Sequence, residues 1–93
     1  MSDTDKSKDI VNPHAAAKFI SIGYGNMVAT DKIIAIVNPE PAPTKRLIQE
    51  AREAGRIVDA THGRKTRAVI FTSTDYILLS SLQPETITQR VEG

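Results

Sequence analysis

Apolar positions along this chain come in short runs cut by glycine, proline and asparagine, and the period of the runs changes along its length. Residues 1–17 show no period: they are polar, alternate Asp with Lys, include His14, and predict a disordered N-terminal arm. The first run, Phe19-Ile20-Ser21-Ile22, reads as a strand and stops at Gly23-Tyr24-Gly25-Asn26, a string of turn formers. Met27-Val28 resumes the apolar character and Asp31 interrupts it. Residues 32–37 then read as a second strand with a buried course. It ends at Asn38-Pro39-Glu40-Pro41, because proline has no N–H to give to a ladder.

Residues 43–55 switch to a helical period, with Pro43 suited to the first turn and Gly55 to the position after the last. Leu47, Ile48, Ala51 and Ala54 fall within a third of the wheel and predict a narrow core face of small residues. Lys45 and Arg52, seven apart, share one side of that helix and border Ile48. Strands are predicted over residues 56–60, 67–72 and 76–82, with Ser73-Thr74-Asp75 turning the last pair. Gln83-Pro84-Glu85-Thr86 opens a short closing helix whose Ile87 and Val91 present one small apolar face. The order β-β-α-β-β-β-α predicts a small single α+β domain over residues 18–93 with a largely antiparallel sheet.

Between two of those strands lies the densest chemistry in the chain, Asp59-Ala60-Thr61-His62-Gly63-Arg64-Lys65-Thr66-Arg67. Apolar runs on both sides predict a hairpin with this stretch at its tip, where Gly63 supplies the positive φ that a tight reversal needs. Arg64 and Lys65 then stand on the turn and Arg67 one step down the returning strand. Cations held so close repel one another, and an arriving anion relieves that repulsion. A phosphate backbone is the leading candidate, and a solvated loop is the bland alternative.

Charge distribution sharpens this picture where total charge does not. Residues 44–67 carry seven cations against three carboxylates, net +4, so within a whole-chain charge of +1 the remainder is net −3. A basic middle beside an acidic remainder predicts an electrostatic footprint on one face. Aromatic residues are few, and Phe19, Tyr24, Phe71 and Tyr76 read as turn or core residues, which lowers the case for single strands or RNA.

A chain of 93 residues buries only roughly 60% of the surface that its unfolded form exposes, so self-association is a ready source of extra stability. With no cysteine there is no disulfide, thiolate metal site or thiol nucleophile, and a cytoplasmic location is expected. Neither a signal peptide nor a membrane span is read. Gly23-x-Gly25 lacks the third glycine and following helix of a nucleotide loop, so a turn is the simpler reading. Asp59 and His62 have no accompanying nucleophile or oxyanion site, and His62 is expected to brace the turn. Two histidines and no cysteine are too few for a metal site. No enzyme, cofactor, metal or small-molecule substrate is expected.

Four segments also carry a resemblance. Phe19-Ile20-Ser21-Ile22-Gly23-Tyr24-Gly25-Asn26-Met27-Val28, residues 43–52 and above all residues 59–70 resemble the RemA family of extracellular matrix regulatory proteins, as does Ser80-Ser81-Leu82-Gln83-Pro84-Glu85-Thr86. The resemblance runs from about residue 18 to residue 90. It implies a bacterial DNA-binding regulator that activates matrix genes for biofilm formation. It further implies a LytTR-like subunit in a homo-oligomeric ring, a heptamer or an octamer. The family's DNA-contacting arginine pair falls on Arg64 and Lys65, and a further contributing arginine on Lys32. Lysine keeps the charge at those two positions but loses the guanidinium fork. The expected partners are double-stranded DNA and the chain itself. Arg64, Lys65, Arg67 and Lys32 are the expected DNA contacts, with Lys45 and Arg52 as secondary ones. A basic rim repeated around a ring holds DNA by avidity and selects sites by DNA shape. The alternative is a non-catalytic oligomeric scaffold whose basic tip meets an acidic protein or a nucleotide.

Overall fold

The structure, a computed structural model, describes residues 18–93, so the expected N-terminal arm at 1–17 lies outside the described residues. The elements are β1 (Phe19–Gly23), β2 (Asn26–Ala29), a 3-10 turn (Thr30–Lys32), β3 (Ile33–Val37), α1 (Ala42–Glu53), β4 (Ile57–Asp59), β5 (Ala68–Thr72), β6 (Ile77–Ser80) and α2 (Pro84–Glu92). The class is α+β as expected, but the order is β-β-β-α-β-β-β-α rather than β-β-α-β-β-β-α. The added strand is β2. Its tip is only two residues long, Tyr24 at φ 53° and Gly25 at φ 78°, the signature of a type I′ turn that folds β2 straight back on β1. Gly23-Tyr24-Gly25-Asn26 is therefore a hairpin tip and not simply a stop.

The strands form two sheets: a ribbon of β1 and β2, and a four-stranded sheet in the order β3-β5-β6-β4. All pairs are antiparallel except β4 with β6, which run parallel in the register Ile57 to Ile77 and Asp59 to Leu79. This overturns the predicted hairpin between β4 and β5. Strand β6 lies between them, so residues 60–67 form a crossing loop over the end of β6 and no hairpin tip. Sequence continuity suggested a hairpin because both flanks are apolar. The central position went instead to β6, whose Ile77 and Leu79 are buried beneath α1.

Alternation along the strands separates two cores. Val69, Ile77 and Leu79 pack with Ala51 and the flanking Ile48 under α1. Ala68 and Ile70, one residue out of phase, pack on the other face with Ile20, Ile22, Val28 and Ile87 from the ribbon and α2. The sheet is thus a shared middle layer. On α1 the inward stripe is Ile48 and Ala51, narrower than predicted, since Leu47 is 45% exposed. Helix α1 closes with a Schellman motif: Gly55 at φ 73° donates to the Arg52 carbonyl at 3.1 Å and Arg56 to the Ala51 carbonyl at 2.8 Å. Helix α2 docks through Ile87 and Val91 as expected, and its Arg90 Nη1 donates to the Ser21 carbonyl at 2.9 Å.

Candidate nucleic-acid interface

Both ends of the 60–67 loop are tied to the same end of β6. Ala60 N–H donates to the Leu79 carbonyl at 2.9 Å on entry, and Arg67 N–H to the Ser80 carbonyl at 2.8 Å on exit. Between these ties the loop is shaped locally. The Asp59 Oδ1 accepts from the Thr61 N–H at 2.9 Å and the Thr61 hydroxyl at 2.6 Å, an Asx turn that fixes buried Thr61. The Thr61 hydroxyl, then its backbone N–H, hold the Asp59 carboxyl below its ordinary value, and the Arg52 charge adds to this against a small cost of burial. His62 at φ 56° and Gly63 at φ 80° make a second I′-type reversal, closed by Arg64 N–H on the Thr61 carbonyl at 3.0 Å. Arg64, Lys65 and Arg67 emerge from it exposed.

The ribbon tip meets this loop. Buried Ser80 donates its hydroxyl to the Ile22 carbonyl at 2.7 Å and accepts the Leu82 N–H at 3.1 Å, linking β6 to β1 one residue before the tip. Asn26 Nδ2 donates to the Gly23 carbonyl at 2.9 Å and the Tyr24 carbonyl at 3.3 Å, which fixes the tip itself. The Tyr24 ring stacks on His62 with centroids 4.8 Å apart and planes 17° apart, and the Arg64 guanidinium carbon lies 5.9 Å from the Tyr24 centroid. The bracing role expected of His62 is thus exerted through Tyr24.

Two clefts flank the emerging cations. The larger, about 250 Å³, is lined by Tyr24, Arg64, Lys65, Arg67 and Ser81. Its charged groups are all cations, so it suits a phosphate. The smaller, about 120 Å³, shares Lys65 and Arg67 but adds Asn38, Glu40 and Gln83. A carboxylate and two amides make it less welcoming to an anion and better matched to mixed donors and acceptors.

Arg64, Lys65 and Arg67 are therefore brought together as expected. Lys45, in the first turn of α1, has its Nζ 3.9 Å from Glu40, so it reaches the rim of the smaller cleft through that carboxylate. Arg52, in the last turn, acts on Asp59 behind the loop. Lys32 is placed apart. Its carbonyl accepts from Ser73 N–H at 2.9 Å, at the far end of β5 from Arg67, and six residues of extended chain separate the two by roughly 20 Å. Within one subunit Lys32 does not join the cluster. Tyr24 and Ser81 are the lining residues that sequence reading missed. An aromatic residue held between two glycines is the signal that could have exposed Tyr24.

The family model described as extracellular matrix regulatory protein A-like, RemA-like, matches residues 19–91. This chain belongs to the RemA-like family. A relative from Geobacillus thermodenitrificans is 63% identical over 76 residues, covering 82% of this chain and 87% of its own. One from Halothermothrix orenii is 55% identical over 78 residues, covering 84% and 93%, and one from Acetivibrio thermocellus 60% over 74 residues, covering 80% of each. Each bears the name "Putative regulatory protein". The family matches span both I′ turns and the crossing loop. A regulatory role is what this membership supports. Among the described residues no helix is long and apolar enough to cross a membrane, and no three acidic, His or Cys side chains gather as a metal site.

Proposed function

We propose that the chain is a DNA-binding transcriptional regulator of extracellular matrix genes, non-enzymatic and acting in the cytoplasm. Its subunit is of the LytTR kind and works in a homo-oligomeric ring. One observation carries the reading: Arg64, Lys65 and Arg67 line a single open cleft at the end of a loop tied down at both ends. Cations on a fixed frame neutralise phosphates without a large ordering cost. Lys32, at the other end of β5, reaches DNA in this reading from a different stretch of the rim, beside a neighbouring subunit's cleft.

The ribbon supports the assembly half of the proposal. Its inner face, Ile20, Ile22 and Val28, is buried, while its outer face carries Phe19 at 67% and Met27 at 55% exposure. Exposed large apolar side chains on a two-stranded ribbon are the kind of surface that a second copy covers. Each subunit's cleft alone binds weakly, and a ring joins many into one rim.

The test is Arg64→Ala measured two ways. Duplex binding is expected to be lost while light scattering reports an unchanged oligomer. An oligomer that persists with undiminished DNA binding would refute the assigned interface and favour an acidic protein or nucleotide as the partner.

A further inference from the structure

Tyr24 occupies a costly position for its type. Its φ is 53°, a conformation that a type I′ turn ordinarily gives to asparagine, aspartate or glycine and that a bulky side chain adopts only when its surroundings hold it there. The surroundings do hold it: Gly23 and Gly25 flank it, Asn26 Nδ2 bridges the Gly23 and Tyr24 carbonyls, and His62 stacks on the ring. Yet Tyr24 stays 50% exposed, so burial does not explain its presence. What it does have beside it is Arg64, at 5.9 Å from the centroid and within the range of a cation–π contact. Among the described residues no hydrogen bond or ion pair holds that guanidinium.

We propose that Tyr24 is a positioning residue for nucleic-acid binding. Its ring, clamped by His62, holds the Arg64 guanidinium over the larger cleft so that Arg64, Lys65, Arg67 and Ser81 converge on one backbone phosphodiester. This rests on the DNA-binding reading above and adds a role for the ribbon in it. An arginine left free loses rotamer freedom when it meets a phosphate; one already parked against a ring loses less. The ribbon and the crossing loop belong to different parts of the chain, and the stack between their two reversals makes them one surface. Ser80, which ties β6 to β1 behind the tip, keeps the two in register.

The experiment is a double-mutant cycle on duplex DNA, read by fluorescence anisotropy, with Tyr24→Leu, Tyr24→Phe, Arg64→Ala and the Tyr24→Leu, Arg64→Ala pair. Circular dichroism confirms that each variant folds. Tyr24→Phe keeps the ring and is expected to bind as the parent does. Tyr24→Leu is expected to bind about two- to fivefold more weakly, the size of an exposed cation–π contact, and to cost nothing further once Arg64 is alanine. An equal loss in both backgrounds, or no loss in either, overturns the proposal while leaving DNA binding in place. A second measurement needs no DNA: the Arg64 Hε proton resonance is expected to move on Tyr24→Leu and to stay put on Tyr24→Phe. If the parent binds no duplex, the DNA reading fails. The resonance then decides the contact alone, and an unmoved Arg64 signal overturns it.

Discussion

At the scale of single residues, the crossing loop depends on two features that hold little buried surface. Gly63 sits at φ 80° with nothing within 4 Å of the place a Cβ would take, so alanine there meets no clash and suffers only from its backbone. Gly63→Ala is expected to cost about 1 kcal/mol in urea unfolding and to weaken DNA binding by displacing Arg64. The Asp59 carboxylate makes the other feature. Its folded value lies below the ordinary 3.8, so it favours the folded state at any pH above that value, and the contribution is lost as pH falls through the lowered one. Asp59→Ala is therefore expected to lower the unfolding temperature at neutral pH. The gap from the parent should close in acid, below the parent's own folded value, and thermal melts across pH measure both. Arg64, Lys65, Gly63 and His62 were legible in the sequence because charge and glycine announce themselves locally. Tyr24 was not, since its partner lies 38 positions away in the chain and only the fold brings the two turns together.

Secondary elements were legible wherever one period governed one segment. Helix α1 was read to within two residues at each end because Pro43 and Gly55 bracket it, and the structure shows Gly55 completing the Schellman motif. Helix α2 was readable from Pro84 and the Ile87 to Val91 spacing. Strand pairing was the part that local pattern could not supply. Adjacent apolar runs at β4 and β5 look like a hairpin, yet β6 inserts between them because its alternate residues fill both cores at once. The link most dependent on this insertion is Ser80, fully buried, donating to the Ile22 carbonyl at 2.7 Å. Ser80→Ala removes that bond and strands a buried carbonyl, while the Arg90 bond to Ser21 and the packing of Ile20, Ile22 and Val28 still hold the ribbon on the sheet. It is expected to cost about 1–3 kcal/mol in chemical denaturation and to weaken the Tyr24 to His62 contact.

For the whole molecule, the two halves of the proposed activity sit on different surfaces. Cations gather at the end of β6, while the exposed apolar side chains Phe19 and Met27 stand on the outer face of the ribbon. The proposed assembly and the proposed DNA contact are thus expected to be separable by mutation. Met27→Glu is expected to reduce the oligomer to smaller species by light scattering, and with it the avidity for long duplexes, while leaving the subunit folded. The loss should be steeper on long DNA than on a duplex short enough for one subunit. Lys32, distant from the cluster within a subunit, is expected to matter only in the assembled form.

The most direct test of the central claim is a salt series on duplex binding by the parent and by the Arg64→Ala, Lys65→Ala double variant. Phosphate neutralisation predicts that log affinity falls linearly with log salt, with a slope of about −0.9 for each phosphate engaged. The double variant should bind far more weakly and along a shallower line. A parent that binds no duplex at low salt, or a variant that follows the parent's line, would contradict a DNA interface at this loop.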